Sequence, residues 1–351
     1  MKKILVAMSG GIDSSCAAFL LKREGYEVSG AFMNLWKPSG GSTQSSLKHQ
    51  ALYAQRVARH LDIPFHSFNF QEEFLRCVID YFKTEYENGR TPNPCAVCNQ
   101  KIKFDLFLKK ALEVGMDGIA TGHYIISTYD KEKDAFLLKE GKDKRKDQSY
   151  FLFLLYQHQL SHSIFPLGGY RKDDVKKIVQ DKHLPTEQGR ESQEICFIDD
   201  DNYVRFLADE CGIKSKDGII KDTGGRVLGK HNGYFNYTVG QRRGLGIGAP
   251  QPLYVVAVDS NNNEVIVGKR EETLRKKFDV QSLHWIASDK GEASFKTKVR
   301  VRYNQDKLDA LVEVKTNSCT VQLQGEGDVI TPGQAAVFYE GETVLGGGWI
   351  V

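Results

Sequence analysis

Three groups of residues in this 351-residue chain have the side chains and spacing to do chemistry. The first is Ser9-Gly10-Gly11-Ile12-Asp13-Ser14-Ser15, placed between the apolar run Ile4-Leu5-Val6-Ala7-Met8 and the helix-compatible Cys16-Ala17-Ala18-Phe19-Leu20-Leu21. A glycine pair between strand and helix lets backbone N–H groups curl around an anion with no Cβ in the way. Ser14 and Ser15 add hydroxyls, and the helix behind them points the positive end of its dipole at the same spot. The chemistry is phosphate binding. The segment lacks the Gly-Lys-Ser/Thr ending of a Walker loop and the spacing of the dinucleotide fingerprint.

The second group is Thr91-Pro92-Asn93-Pro94-Cys95-Ala96-Val97-Cys98-Asn99, where two prolines fix a loop that presents a C-x-x-C pair. Such a pair is half of a structural zinc site. No second C-x-x-C exists here, so only scattered residues such as Cys196 and His123 are left to complete one. The redox reading is stronger: a cysteine ahead of a helix starting near Lys101, with Lys101 and Lys103 close by, is expected to carry a lowered pKa and some thiolate at neutral pH. The third group is Glu191-Ser192-Gln193-Glu194-Ile195-Cys196-Phe197-Ile198-Asp199. Taken alone, Cys196 also fits a small buried hydrophobe.

Composition sets bounds around these groups. The chain exceeds one average domain, and 40% apolar with 26% charged residues suits a globular protein with a real core. A net charge of +3 does not by itself indicate nucleic acid, so an RNA partner must be argued from local patches. No apolar run approaches the roughly 20 residues of a membrane span. Because residues 1–8 lead directly into the phosphate loop, a cleaved leader would remove the site, and the expected compartment is the cytoplasm. Seven scattered cysteines argue against a disulfide framework.

The elements that must position these groups change character along the chain. Strand candidates at residues 4–8, 28–34, 64–69 and 118–122 alternate with helical patterns. Among the latter, Leu47, Ala51, Ala54, Ala58 and Leu61 share one face, and residues 73–82, 104–114 and 171–183 are also read as helices. This alternation predicts an α/β fold with a parallel sheet and ligands at the carboxyl ends of its strands. Residues 37–46 read as a Gly/Ser/Pro-rich loop, and 131–147 as a charge-dense segment unsuited to a core. From about residue 216 glycines crowd and helical periodicity fades. From about 278 short alternating strands predict a small barrel or sandwich. The expected division is 1–205, 206–277 and 278–351: a nucleotide-binding catalytic domain, a small β-rich domain and a C-terminal β-barrel.

The loop Ser9–Ser15 resembles the SGGxDS signature of ATP pyrophosphatases, which adenylate a substrate oxygen. Several further motifs occur in the order seen in the tRNA-specific 2-thiouridylases: N-P-x-x-x-C-N, T-G-H-Y at 121–124, K-D-Q-S-Y at 146–150, S-Q-E-I-C-F-I at 192–198, G-Q-R-R-G-L-G at 240–246 and P-G-Q-A-A-V-F-Y at 332–339. The resemblance runs the length of the chain. It implies an ATP-dependent tRNA uridine 2-sulfurtransferase, with Cys196 as persulfide carrier and Cys98 as nucleophile or resolving thiol. It implies nucleotide contacts at Ala7, Met8, Ser9, Gly10, Gly11, Ile12, Asp13, Ser14, Met33 and Gly122. For the tRNA it implies Asn93, Pro94, Cys95, His123, Lys146, Asp147, Gln148, Arg302, Tyr303 and Gln334. ATP is the implied co-substrate, with Mg²⁺ a further expectation; Asp13 fits either Mg²⁺ ordering or helix capping. A sulfur donor, whether a relay protein or a cysteine desulfurase, is the implied partner besides tRNA. Cys95 departs from the pattern, since many members carry Asp there, a candidate acid/base. The competing class is another ligase of the same loop type that adenylates a carbonyl or carboxylate for amination; it leaves Cys98, Cys196 and the basic stretch 142–148 unexplained.

Overall fold

A computed structural model describes residues 1–36, 43–187, 195–198, 200–287, 291 and 293–351. Of the loop expected at 37–46, residues 37–42 lie outside the described residues, and Thr43–His60 is already helix. Residues 191–194 and 199 of the Cys196 segment also lie outside.

Strands β1 (Lys3–Ala7), β2 (Glu27–Asn34), β3 (Phe65–Asn69) and β4 (Gly118–Ala120) are followed by a hairpin, β5 (Ile125–Asp130) and β6 (Ala135–Glu140), and then by β7 (Ser163–Ile164). The first sheet is parallel throughout, in the order β3-β2-β1-β4-β7. Ile4, Leu5 and Val6 are buried because helices cover both faces, which is why β1 reads as a continuous apolar run rather than an alternating one. The chain winds outward from β1 to β3 on one side and from β4 to β7 on the other. The carboxyl ends of β1 and β4 therefore flank a crevice, the usual ligand position in such sheets.

The helical expectations hold in place but not in length. The pattern at 73–82 belongs to a longer run, Gln71–Phe74, Leu75–Ile79 and Asp80–Glu87, whose middle segment is π-helical. The helix expected at 104–114 starts ten residues earlier. Pro94–Cys98 is its first α-helical turn, Asn99–Leu106 is π-helical, and Phe107–Glu113 completes it. Pro94 at the first helical position and Asn93 as the cap, accepting from the Ala96 N–H at 3.2 Å, explain the early start.

The central region holds β8 (Gly218–Asp222), β9 (Val227–His231), β10 (Tyr254–Asp259) and β11 (Glu264–Gly268) in the order β10-β11-β8-β9. Ile220, Val255, Val265 and Val267 form its small core. After the two-residue β12 (Leu274–Arg275) come β13 (Lys277–Trp285), β14 (Ser294–Arg300), β15 (Leu308–Lys315) and β16 (Ser318–Leu323). The two-residue β17 (Asp328–Val329), which pairs with β12, precedes β18 (Ala335–Glu340) and β19 (Thr343–Ile350). Six of these close a barrel in the order β13-β16-β15-β14-β18-β19, with β13 pairing back onto β19.

The charge-dense segment 131–147 corrects the sequence expectation. It contains β6, which extends the barrel sheet by pairing Leu138 with Val344 and Lys139 with Thr343. Leu137 and Leu138 are buried, as are Glu140, Asp143 and Asp147. The charges are there because cations of the barrel answer them. Arg300 reaches Glu140 at 3.0 Å and Asp147 at 2.8 Å, and Lys307 reaches Glu140 at 3.0 Å. Tyr339 lies beneath both cations, with ring centroids 5.2 and 5.1 Å away.

Removing one partner of a buried pair leaves a stranded charge, at about 3–5 kcal/mol. Arg300→Met is therefore expected to lower unfolding stability by about 3 kcal/mol, read as a shifted denaturant midpoint. Adding Asp147→Asn should recover part of that loss, since the two sites share one interaction. An unshifted midpoint in Arg300→Met would mean the cluster does not hold the barrel in place.

Candidate active site

β1 ends at Ala7, and the chain turns through Met8–Gly11 into helix Ile12–Arg23. Gly10 takes φ +81°, and a Cβ there would lie 2.6 Å from the Gln50 carbonyl oxygen. Gly11 is the cap residue and has no side chain to satisfy the first-turn N–H groups, which leaves them for an anion. The serines fold the loop on itself. Ser14 Oγ accepts from the Ser9 N–H at 3.1 Å and donates to the Gly11 carbonyl, and Ser15 Oγ donates to the same carbonyl at 2.8 Å. Gly122, just past β4, faces this first turn; a Cβ would sit 2.9 Å from the backbone of Asp13 and Ser14. Met33, near the end of β2, is half-buried and pairs in register with Phe68 of β3. The nucleotide candidates thus meet at one carboxyl edge of the sheet.

Asp13 neither caps the helix nor stands open. Lys172 Nζ donates to both its oxygens at 2.7 Å, and the Tyr124 hydroxyl donates to Oδ1 at 2.6 Å. Burial first, then the Asp13 charge, raises the Tyr124 pKa and keeps that hydroxyl protonated. Lys172 is the residue that sequence reasoning missed. It opens helix Lys172–Asp181, and its backbone N–H donates to Asp143 at 3.0 Å. The signal was a lysine at the first position of an amphipathic helix, indistinguishable by pattern from a solvated one; its side chain is only 8% exposed.

The cysteines depart from expectation in charge. Cys95 and Cys98 lie within the first helical turn, not ahead of it. Burial pushes both thiols up to about 12, outweighing the opposing charge of Lys103. Cys98 is buried with Phe197 and Ile198, the residues that follow Cys196, in the same apolar cluster. Cys196 itself is exposed, and its charge acts on both Cys95 and Cys98. None of the seven cysteines is in a disulfide. Phe197 is wedged edge-on against Phe74 and Phe82 at 5.6 and 5.4 Å, which holds this segment beside the cysteine helix. Among the described residues, no group of three or more His, Cys, Asp or Glu is arranged to hold a metal ion.

The barrel reaches the same place. Gln334 Nε2 donates to the carbonyls of Thr91 and Pro92 at 3.1 and 2.9 Å, fixing the loop that launches the cysteine helix. Tyr303 packs on Phe151 at 4.4 Å and is near enough to Cys95 for that thiol's charge to raise its pKa, burial being the larger cause. His123 is buried against Phe104, with Nδ1 2.7 Å from Thr121 Oγ1, and burial holds it well below its usual pKa. Asn93 is buried and Pro94 lies behind it. Asp147 and Gln148 work internally. Asp147 accepts from the Gly141 N–H, the Ser149 hydroxyl and Arg300, and Gln148 Oε1 accepts from the Tyr124 N–H. Asp147 is therefore buried, with its carboxylate engaged inside the protein. Lys146 is half-buried beside it. Arg302 lies farther out, paired with Asp328 at 2.7 Å.

Two measurements follow from this geometry. Lys172→Met should strand Asp13 in the phosphate cradle, at roughly 1–3 kcal/mol given its partial exposure, and weaken ATP binding at least tenfold by isothermal titration. Unchanged affinity would remove Lys172 from the site. Alkylation of Cys98 by iodoacetamide, followed by peptide mapping, should accelerate about tenfold per pH unit from pH 7 to 10 without a plateau. A plateau below pH 9 would reveal a thiolate that burial ought to forbid.

Residues 2–200 match the family model described as tRNA methyl transferase HUP domain, 205–269 the tRNA methyl transferase PRC-barrel domain, and 275–350 the aminomethyltransferase beta-barrel domain. The chain is 46% identical over 355 residues to the tRNA-specific 2-thiouridylase MnmA of Caldicellulosiruptor saccharolyticus, covering 99% of this chain and 98% of that one. It is 47% identical over 358 residues to the protein of the same name from Geobacter metallireducens, covering 99% and 96%. The U34-tRNA thiolase NcsA from Methanococcus maripaludis, solved with its [4Fe-4S] cluster, is a distant likeness: 17% identity and a TM-score of 0.35 over 60% of this chain and 65% of that one. With three successive domain models matched and near-complete coverage at this identity, the chain belongs to the tRNA-specific 2-thiouridylase family.

Proposed function

We propose that this protein replaces the C2 oxygen of the wobble uridine of tRNA by sulfur, using ATP and an enzyme persulfide. The observation that carries the reading is an uncapped phosphate loop after the first strand together with a cysteine helix, its Cys98 buried, whose launching loop is held by a barrel residue, Gln334. A uracil carbonyl oxygen is a poor leaving group. Transferring it to the α-phosphate of ATP releases pyrophosphate and turns the oxygen into part of AMP, a good one.

The first-turn N–H groups behind Gly11 hold the phosphates, and Lys172 supplies the positive charge that steadies the loop and the charge building on them. Asp13 does not fit as a magnesium ligand, because Lys172 occupies both of its oxygens; no step is assigned to a protein-held metal. The terminal sulfur of a Cys196 persulfide attacks C2 and displaces AMP. Cys98 then attacks the Cys196 sulfur, releasing 2-thiouridine and closing a Cys98–Cys196 disulfide that an external reductant reopens. The exposure of Cys196 suits a residue that must receive sulfur from a donor protein. The target base has to leave the anticodon stack to reach this depth. Arg302 and Tyr303 on the barrel, with Lys146 and His123 nearer the cleft, are the residues proposed to meet the RNA. Residues 1–205 carry the chemistry in this reading, and 206–277 and 278–351 seat the tRNA.

Among the described residues no helix is long and apolar enough to cross a membrane; a reducing compartment such as the cytoplasm would keep the thiols available. The test is direct. Incubation with ATP, a persulfide donor and tRNA bearing an unmodified U34 should yield 2-thiouridine, AMP and pyrophosphate in equal amounts. Cys98→Ser and Cys196→Ser should each reduce thiolated tRNA to background while pyrophosphate release on the first turnover persists. Thiolation undiminished in Cys196→Ser would exclude the persulfide route.

A further inference from the structure

Cys95 has no part in the two-thiol cycle, yet its position is specific. It lies three residues before Cys98 in helix Pro94–Cys98, and the Asn99 N–H donates to the Cys95 carbonyl, so the turn between them is helical. Helix geometry puts Cα atoms at that spacing about 5 Å apart. This falls within the window of about 4.4–6.8 Å that a disulfide spans. The turn is fixed from outside as well: Asn93 caps it through the Ala96 N–H, and Gln334 clamps the preceding carbonyls. Exposure is graded across the three sulfurs. Cys98 is buried, Cys95 half-buried and Cys196 exposed. A reductant docking from solvent can reach Cys95 more readily than Cys98.

We propose that Cys95 is a third redox residue, which takes over the oxidised bond from Cys196 after each sulfur transfer. The inference rests on the roles proposed above for Cys98 and Cys196. The step balances as a disulfide exchange. Cys95, as thiolate, attacks Sγ of Cys98; the Cys95–Cys98 bond forms as the Cys98–Cys196 bond breaks. Cys196 leaves as thiolate and takes up the proton that Cys95 released. No electrons enter or leave. An external dithiol then reduces Cys95–Cys98, donating two electrons and two protons and becoming a disulfide itself. Once Cys196 is in a disulfide it bears no charge, so the second cause that disfavours a Cys95 thiolate is gone, while Lys103 still favours it. The exchange restores the exposed sulfur carrier before any reductant arrives, so the next persulfide can load onto an enzyme whose oxidised bond is stored inside the helix.

The experiment is a single turnover of the full chain with tRNA, ATP and a persulfide donor, without reductant, followed by acid quench, alkylation and disulfide mapping. The expected wild-type map shows Cys95–Cys98 linked and Cys196 alkylated. In Cys95→Ser the bond should remain Cys98–Cys196, with no alkylation of Cys196. A wild-type map showing Cys98–Cys196 with Cys95 alkylated would overturn the proposal while leaving the two-thiol cycle standing. A Cys95–Cys196 bond would overturn it by placing Cys95 in the resolving role. A map in which Cys98 is never oxidised, in either protein, would instead remove the cycle on which the proposal is built.

Discussion

Two buried carboxylates on the nucleotide-binding side, Glu140 and Asp147, face two cations of the barrel, Arg300 and Lys307, and this ionic contact decides where everything else can be. Burying such charges is costly, and an apolar replacement of the same shape often stabilises as well or better. What the ionic version adds is a fixed orientation. Arg300 bridges both carboxylates through separate nitrogens, which sets rotation as well as distance. The hairpin pairing of Leu138 with Val344 sets the remaining direction. With the barrel so placed, Gln334 comes to the carbonyls of Thr91 and Pro92, and Tyr303 comes beside Cys95.

The same logic of burial against charge governs the sulfurs. A thiol near a lysine at the start of a helix is ordinarily activated. Here Lys103 acts in that direction on Cys95 and Cys98, and burial among Ala96, Ile102, Phe104 and Phe197 outweighs it. Burial therefore keeps Cys95 and Cys98 as neutral thiols. A neutral thiol is a poorer target for oxidation than a thiolate, so burial also shields these cysteines in solution.

Much of this was legible in the sequence. The phosphate loop was, because glycine and serine at that spacing have few other uses, and so were the strand-helix alternation and the six-strand barrel, because apolar periodicity reports burial. Three features were not. The charged segment 131–147 read as solvated because its answering cations stand some 150 residues later, and no local pattern encodes that pairing. Lys172 looked like a surface lysine until the fold brought it to Asp13. The thiolate expectation failed because it weighed a neighbouring charge, which sequence displays, against a desolvation that only packing reveals.

The turn that launches the cysteine helix is where these constraints add up. The Glu87 carbonyl accepts from Tyr234 and the Thr91 hydroxyl donates to Thr238, both residues of the central region, while the Thr91 N–H donates to the Pro332 carbonyl of the barrel. Residues 87–93 are thus held by both the central region and the barrel, and Cys95 and Cys98 follow directly on the same backbone. Local packing keeps those thiols neutral, and residues 87–93 tie the backbone of their helix to the barrel and the central region at once.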